Sequence, residues 1–369
     1  AIGFEALSTE DADGNNVAVG YQALKTLNAG ATGGNTAVGY QAGVDLTTGV
    51  QNVLIGYVAG PDLTDADFNV AVGVGSLFND HKGNKSTAIG HNTLAIQDFT
   101  TSTDTFNTAV GFQAGNAVTT GVRQTLIGGL AGDALTTGDN NTAVGYNSLS
   151  AMTVGDRNVA VGVGTLASAN VTSNADTYNT AVGFDAGNDI TTGTSNTLIG
   201  GLTGDAITTA SNNTAVGYAS LGTNTTGAGN VAVGRESLFN NTTASNNTAV
   251  GLNSLYTNTT GINNVAVGKD ALIASTTANN NTAVGYDCLQ ANTTGASNAS
   301  VGKSALEANT TGSANAAFGA DALGSNTTAS NNTAVGTNSL NANTTGSENV
   351  AVGRNALDAN TTAANNTAV

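Results

Sequence analysis

The side chains that most often carry out catalysis are rare in this chain. Among 369 residues there are two histidines, His81 and His91, and one cysteine, Cys288. The histidines have no carboxylate cluster beside them in sequence, which favours loop or surface positions over a general base or metal ligands. Cys288 takes the place before Leu289 that Ala or Ser takes in other repeats, so it suggests core packing rather than a nucleophile. We therefore predict no enzyme activity, no catalytic residues and no cofactor.

Acidic segments and Asn-x-Thr triplets are candidate ligand or modification sites. Segments 62–67 and 98–104 carry carboxylates of the kind that Ca²⁺ prefers, but neither has the glycine-anchored EF-hand spacing, so solvated loops are favoured over a metal site. Asn-x-Thr recurs throughout, as in Asn224-Thr225-Thr226. Glycosylation in a eukaryotic secretory pathway and ladders of Asn side chains explain this triplet equally well.

Tyrosine recurs directly after a glycine that itself repeats along the chain. We call this glycine the anchor and count positions in each repeat from it. At position +1 six repeats carry Tyr21, Tyr40, Tyr57, Tyr146, Tyr218 and Tyr286, whereas others carry Phe, Lys or Arg. A file of such rings is a candidate surface for sugars, but the favoured interpretation is an amphipathic residue that seals an edge between subunits.

The composition excludes several classes of protein. Gly is abundant at 49 residues, whereas charged residues are 9% and aromatic residues 5%, which is not the composition of a helical or mixed α/β enzyme. The 39% of hydrophobic residues argue against disorder, and no apolar run is long enough to span a membrane. A net charge of -16 with only 9 Lys and Arg disfavours nucleic acid as a partner.

The whole chain is one repeat array with the phrase Asn-Thr/Val-Ala-Val-Gly. The period is 17 residues without a slip from Gly200 to Gly353. Earlier, a two-residue insertion precedes Gly39, and four-residue insertions before Gly111 and Gly183 create two 72-residue super-repeats, from Gly39 to Gly111 and from Gly111 to Gly183. We therefore predict one array over 1–369, with an irregular part at 1–199 and regular coils at 200–369. Both ends fall inside a repeat phrase, so we expect a fragment of a longer chain.

A fixed period of this size is typical of a solenoid. In one repeat, Thr214, Ala215 and Val216 alternate as a β-strand does, the residues through Leu221 are predicted to form a second short strand, and Asn-Thr-Thr-Gly is turn chemistry. The anchor Gly217 is predicted to form a corner of the coil. The fold class is therefore all-β: a parallel β-solenoid or β-roll of about 21 coils.

Leucine and glycine exchange places between two positions of the repeat. Most coils carry Ala at -2 and Leu at +4, but three carry Leu at -2, as at Leu126, and then Gly at +4, as at Gly132. Because close-packed cores compensate added volume by removing it nearby, we predict that these two positions share one interior space.

The strand face opposite Ala carries Val and Thr with almost no charge. In successive coils the residue before the anchor is Val216, then Val233. Such a stripe is larger than a soluble monomer tolerates, so we expect another subunit to cover it.

The repeat phrase resembles the head repeats of trimeric autotransporter adhesins of the YadA type. The longer phrase at 17–24 and 35–43 is also similar to shaft repeats of phage tail fibres. The resemblance implies a left-handed parallel β-roll and a homotrimer. The period of 17 is longer than we expect for the adhesin head.

The sequence therefore favours a structural or adhesive surface fibre, extracellular, on a cell surface or a virion. Its expected partners are further copies of itself and a host-cell glycan or protein. The alternative is an ice-binding or carbohydrate-binding solenoid, which needs one flat, regular Thr face. Six coils replace the Asn of Asn-Thr-Thr by an aliphatic residue, which we expect to interrupt that face.

Overall fold

A computed structural model describes residues 1–11, 14–173 and 175–369. It is an all-β parallel β-solenoid of about 21 turns, as the sequence predicts. The chain divides into two compact units, Ala1–Asp185 and Ala186–Val369. The boundary between the units lies 14 residues before residue 199, the last residue of the irregular part of the array.

The first unit contains short strands and one 3₁₀ turn at Gly30–Thr32, in the coil that carries the two-residue insertion before Gly39. Its strands are β1 (Val17–Val19), β2 (Thr36–Val38), β3 (Val53–Ile55), β4 (Val70–Val72), β5 (Gly83–Asn84), β6 (Thr87–Ile89), β7 (Thr103–Asp104), β8 (Thr108–Val110), β9 (Thr125–Ile127), β10 (Thr142–Val144), β11 (Gly155–Asp156), β12 (Val159–Val161), β13 (Ala175–Asp176) and β14 (Thr180–Val182). The pairs β5/β7 and β11/β13 are parallel and form where the four-residue insertions lengthen a coil.

The second unit has one strand per coil. The strands are β15 (Thr197–Ile199), β16 (Thr214–Val216), β17 (Val231–Val233), β18 (Thr248–Val250), β19 (Val265–Val267), β20 (Thr282–Val284), β21 (Ala299–Val301), β22 (Ala316–Phe318), β23 (Thr333–Val335), β24 (Val350–Val352) and β25 (Thr367–Ala368). Each pairs in register with the strand of the next coil, so that Ala215 lies beside Ala232. Equivalent positions therefore form columns along each unit.

The predicted second strand is wrong. Ala219 and Leu221 have φ angles of 52° and 56°, in the left-handed region, and the residues after the anchor form turns. The side chain of Leu221 is nevertheless fully buried. The apolar pattern after the anchor therefore does not come from an extended strand. It comes from a turn in which the residues at +2 and +4 have left-handed φ angles and bend the chain.

The anchor position requires glycine for two reasons: its φ angle and the close approach of the next coil. At Gly217 φ is 133°, and a Cβ atom there would lie 2.6 Å from the carbonyl oxygen of Gly234 in the next coil. Other residue types are strained at this φ angle. The Cβ atom would also clash with a backbone carbonyl, which cannot rotate out of the way as a side chain can. This position is the close corner at which successive coils touch.

Two ladders of asparagine side chains run through the interior beside the apolar core. In the first, Asn213 Oδ1 accepts the backbone N–H of Asn230 at 2.9 Å, and Asn230 Nδ2 donates to the carbonyl oxygen of Ala244 at 2.9 Å. In the second, Asn241 Nδ2 donates to Asn224 Oδ1 at 2.8 Å. Because Asn224 is fully buried, the folded coil does not present its amide to a modifying enzyme.

Ser275 interrupts the second ladder, and we expect Ser275→Asn to stabilise the protein. Ser275 Oγ and Asn258 Oδ1 are both buried without a hydrogen-bond partner. An Asn at 275 would donate to Asn258 and accept from Asn292, for a gain of roughly 1 to 3 kcal/mol in the free energy of unfolding. Denaturant titration measures this gain.

The matched control is Ser275→Ala, which removes the unpartnered hydroxyl but leaves Asn258 Oδ1 without a donor. We expect it to be close to neutral. A Ser275→Asn variant no more stable than Ser275→Ala would contradict the role of the ladder.

Candidate functional site

Four aromatic residues at position +1 form a continuous stack in the first unit. The ring centroids of Phe4 and Tyr21 lie 5.3 Å apart, and those of Tyr21 and Tyr40, and of Tyr40 and Tyr57, lie 5.1 Å apart, with interplanar angles of 7° to 14°. Each internal ring is covered on both faces by its neighbours and exposes only its edge. A sugar ring therefore has no free internal face to stack on, which favours a role in sealing an edge.

The other three tyrosines stand apart from this stack. Tyr146 and Tyr218 each follow a coil that carries glycine at +1, and Gly201 lies beside the Tyr218 ring. The ammonium group of Lys269 lies 5.1 Å from the centroid of Tyr286, a cation–π contact. The six tyrosines are thus one group of three and three separate rings.

The strand side chains at position -1 form an apolar row on the outside of each unit. Val216 and Val233 are half-buried in the single chain. Similar residues with exposed fractions of 36% to 43% are Val38, Ile55, Ile89, Ile127, Ile199, Val301, Phe318, Val335 and Val352. No carboxylate or ammonium occurs at this position in β1–β4, β6, β8–β10, β12 or β14–β24.

Threonines form a second exposed file at position +9. In the second unit the file is uninterrupted and consists of Thr192, Thr209, Thr226, Thr243, Thr260, Thr277, Thr294, Thr311, Thr328, Thr345 and Thr362. The threonine file continues through the two coils that carry Ile190 and Ile207 in place of Asn, so these aliphatic replacements do not interrupt it, contrary to the expectation from the sequence. In the first unit Asp65, Lys82 and Phe99 occupy the same position, so the file is broken.

The carboxylates of the acidic segments form ion pairs and accept a backbone hydrogen bond from a neighbouring coil. Asp98 Oδ1 lies 2.8 Å from His81 Nδ1, and this contact raises the pKa of His81. Asp67 Oδ1 accepts the Val50 N–H at 2.8 Å, and Asp65 pairs with Lys82. No group of three His, Cys, Asp or Glu that could hold a metal ion occurs in residues 1–11, 14–173 and 175–369.

Asp80 is a buried carboxylate at the position that Asn occupies in the second ladder. Its Oδ1 accepts the N–H of Gly83 at 3.0 Å and of Phe99 at 3.2 Å, and its Oδ2 accepts from Gln97 Nε2 at 2.6 Å. Burial raises its pKa. The three donors fix the longer coil before Gly111, so we assign Asp80 a structural role.

Cys288 is also structural. Its side chain is fully buried, and its thiol donates to Ser300 Oγ at 3.0 Å. Burial raises the pKa of Cys288 to about 11, so at neutral pH it is a thiol rather than the nucleophilic thiolate.

Two half-buried rings at position +5 were not predicted as a site from the sequence. Phe239 and Tyr256 stack with centroids 5.4 Å apart. The sequence does carry a signal for them: among the +5 residues of the second unit, which are otherwise Asn188, Asp205, Gly222, Ile273, Gln290, Glu307, Gly324, Asn341 and Asp358, only these two are aromatic.

The one helical turn, Gly30–Thr32, is far too short for a bilayer, and no other part of the described chain forms a helix that would cross one. No protein-family model fits the chain, and no curated protein is significantly similar to it.

Proposed function

We propose that this chain is a segment of a structural or adhesive surface fibre, extracellular on a cell or a virion. Three copies of a left-handed solenoid would form an elongated shaft or head that displays or forms a receptor-binding surface for a host glycan or protein. Handedness and trimer number rest on the resemblance to YadA-type head repeats and phage fibre shafts.

The observation that carries the proposal is the apolar row at position -1. It repeats once per coil at a strand spacing of about 4.8 Å, and its aliphatic side chains are only half-covered within one chain. An aliphatic row this long is favourable only if another surface removes it from water. Because the same row occurs on every copy, identical chains are the simplest partners.

We expect the double variant Val233→Asp and Val267→Asp to abolish assembly. Both side chains lie in the row, and two carboxylates would be buried there without partners. Multi-angle light scattering should give a trimer for the unmodified chain and a monomer for the variant.

The matched control is Thr226→Asp with Thr243→Asp, which adds the same charge at exposed turn residues of the same unit and should leave assembly intact. A folded monomer of the unmodified chain, or a trimer of the valine variant, would refute the proposal.

An ice-binding surface is the second candidate, and the unbroken threonine file favours it. The neighbouring Thr hydroxyls at +8 donate to backbone carbonyls of the next coil, as Thr225 does to Thr242 at 3.1 Å, so the file stands on a regular frame. A freezing-point hysteresis measurement on the purified chain separates this candidate from the fibre: hysteresis supports ice binding, and its absence leaves the fibre.

A further inference from the structure

Three consecutive coils of the second unit carry a local departure from the repeat at position +5. Gly222, Phe239 and Tyr256 follow one another there. The Phe239 and Tyr256 rings are nearly parallel, at 10°. A Cβ atom on Gly222 would lie 2.8 Å from Phe239 Cε2, so the ring rests over the glycine and needs its lack of a side chain.

Two neighbouring surface cavities adjoin these rings. One, of about 280 Å³, is lined in part by Leu202, Asp205, Tyr218, Glu236 and Phe239. The next, of about 260 Å³, is lined by Glu236, Asn253, Tyr256 and Ile273. Glu236 lines both, so the cavities follow one another along the column direction with an aromatic ring in each.

The polar groups of this groove offer hydrogen-bond acceptors to a ligand. Glu236 Oε1 accepts from Arg235 Nη2 at 3.0 Å and Nε at 3.3 Å, so its charge is already balanced. Asn253 Nδ2 donates to Asp270 Oδ1 at 3.1 Å, whereas Asn253 Oδ1 is buried without a partner. An unpartnered acceptor beside a cavity is suited to a hydroxyl donor from a ligand.

We propose that the groove along Phe239 and Tyr256 binds a neutral saccharide, with one pyranose ring in each cavity. Because each ring covers one face of the other, the apolar C–H groups of each sugar pack against the part of the Phe239 or Tyr256 ring that lines its cavity, and the hydroxyl groups donate to Asn253 Oδ1 and Glu236. Arg235 offsets the Glu236 charge, but the Asp205 carboxylate also lines the first cavity, so the cationic probe in the test below decides between a sugar and a cation. In the proposed fibre this site would serve to recognise a glycan. The biological role of the site rests on the proposed function, but the binding itself does not.

Saturation-transfer NMR on the purified full chain tests this site, with glucose, galactose, mannose and N-acetylglucosamine as neutral probes and choline as the cationic probe. At least one sugar should bind, choline should not, and Phe239→Ala or Tyr256→Ala should weaken sugar binding by about tenfold or more. Asn253→Leu, which removes the free acceptor, should weaken it as well.

The control is Phe68→Ala, which removes an exposed ring outside the groove and should leave sugar binding unchanged. Binding of none of the four sugars, binding of choline in their place, or equal loss in the control would overturn the inference. Light scattering on the same samples separates it from the proposed function: sugar binding by a monomer would refute only the fibre, and an intact trimer without sugar binding would refute only the saccharide site.

Discussion

Replacing Gly251 by alanine is expected to lower the free energy of unfolding by roughly 4 kcal/mol or more. Gly251 has a φ angle of 136°, and a Cβ atom there would lie 2.5 Å from the carbonyl oxygen of Gly268. Neither backbone can move without breaking the hydrogen bond from the Gly268 N–H to the Val250 carbonyl, now 2.7 Å. Denaturant titration gives the loss, and hydrogen exchange of the Gly268 amide shows where it occurs.

Gly201→Ala is the matched control, because it adds the same methyl group in the same unit. A Cβ atom at Gly201 would meet only Tyr218 Cδ2, at 3.8 Å, which is an ordinary contact. We expect a change within about 0.5 kcal/mol. Equal stability of the two variants would show that the anchor position is not constrained by its neighbour.

The second large effect is expected at Leu126, where Leu126→Ala should cost about 2 to 5 kcal/mol. A Cβ atom at Gly132 would lie 2.8 Å from Leu126 Cδ2, and one at Gly115 would lie 2.7 Å from Leu126 Cδ1. One leucine at -2 therefore fills the space of two leucines at +4, in its own coil and in the preceding one. This explains why glycine replaces leucine in both coils.

The exchange can be tested by rebuilding the common arrangement one step at a time. Gly132→Leu alone should be destabilising, because its side chain meets Leu126 and also Leu135, whose Cδ1 atom would lie 2.8 Å from the added Cβ atom. Combined with Leu126→Ala it should recover part of the loss, and adding Leu135→Asn should recover more. Strictly additive losses would mean that the three side chains do not share a space.

The sequence predicted the structure correctly where a residue type recurs for a single physical reason. The 17-residue period and the Thr-Ala-Val alternation predicted the coils and their strands, because burial of every second residue is typical of a β-strand. The second strand failed because Leu221 adopts a left-handed conformation that its residue type does not signal. The same positive φ recurs at +2 and +4 in coil after coil, as at Glu236 and Leu238, so it belongs to the turn geometry of the coil rather than to the residue type.

The candidate surfaces were only partly predictable for a similar reason. The period placed Tyr21, Tyr40 and Tyr57 in one column, but ring orientation decided that their faces cover one another. The groove at Phe239 depends on the missing side chain of Gly222 one coil earlier. Such pairing between coils appears only when positions are compared down a column instead of along the chain.

The pairing of Cys288 with Ser300 bears on how the chain finds its alignment during folding. If two neighbouring coils of the second unit paired one repeat out of register, most strand Thr residues would still meet Thr or Val, and most ladder Asn residues would still meet Asn. Many such misaligned stacks would therefore have nearly the same energy as the native one. The same shift would place Ser300 beside Ala271 instead of Cys288, and Phe239 over Asp205 instead of Gly222. The irregular residues therefore distinguish the native alignment from its 17-residue shifts, and a perfectly uniform repeat would lose that distinction.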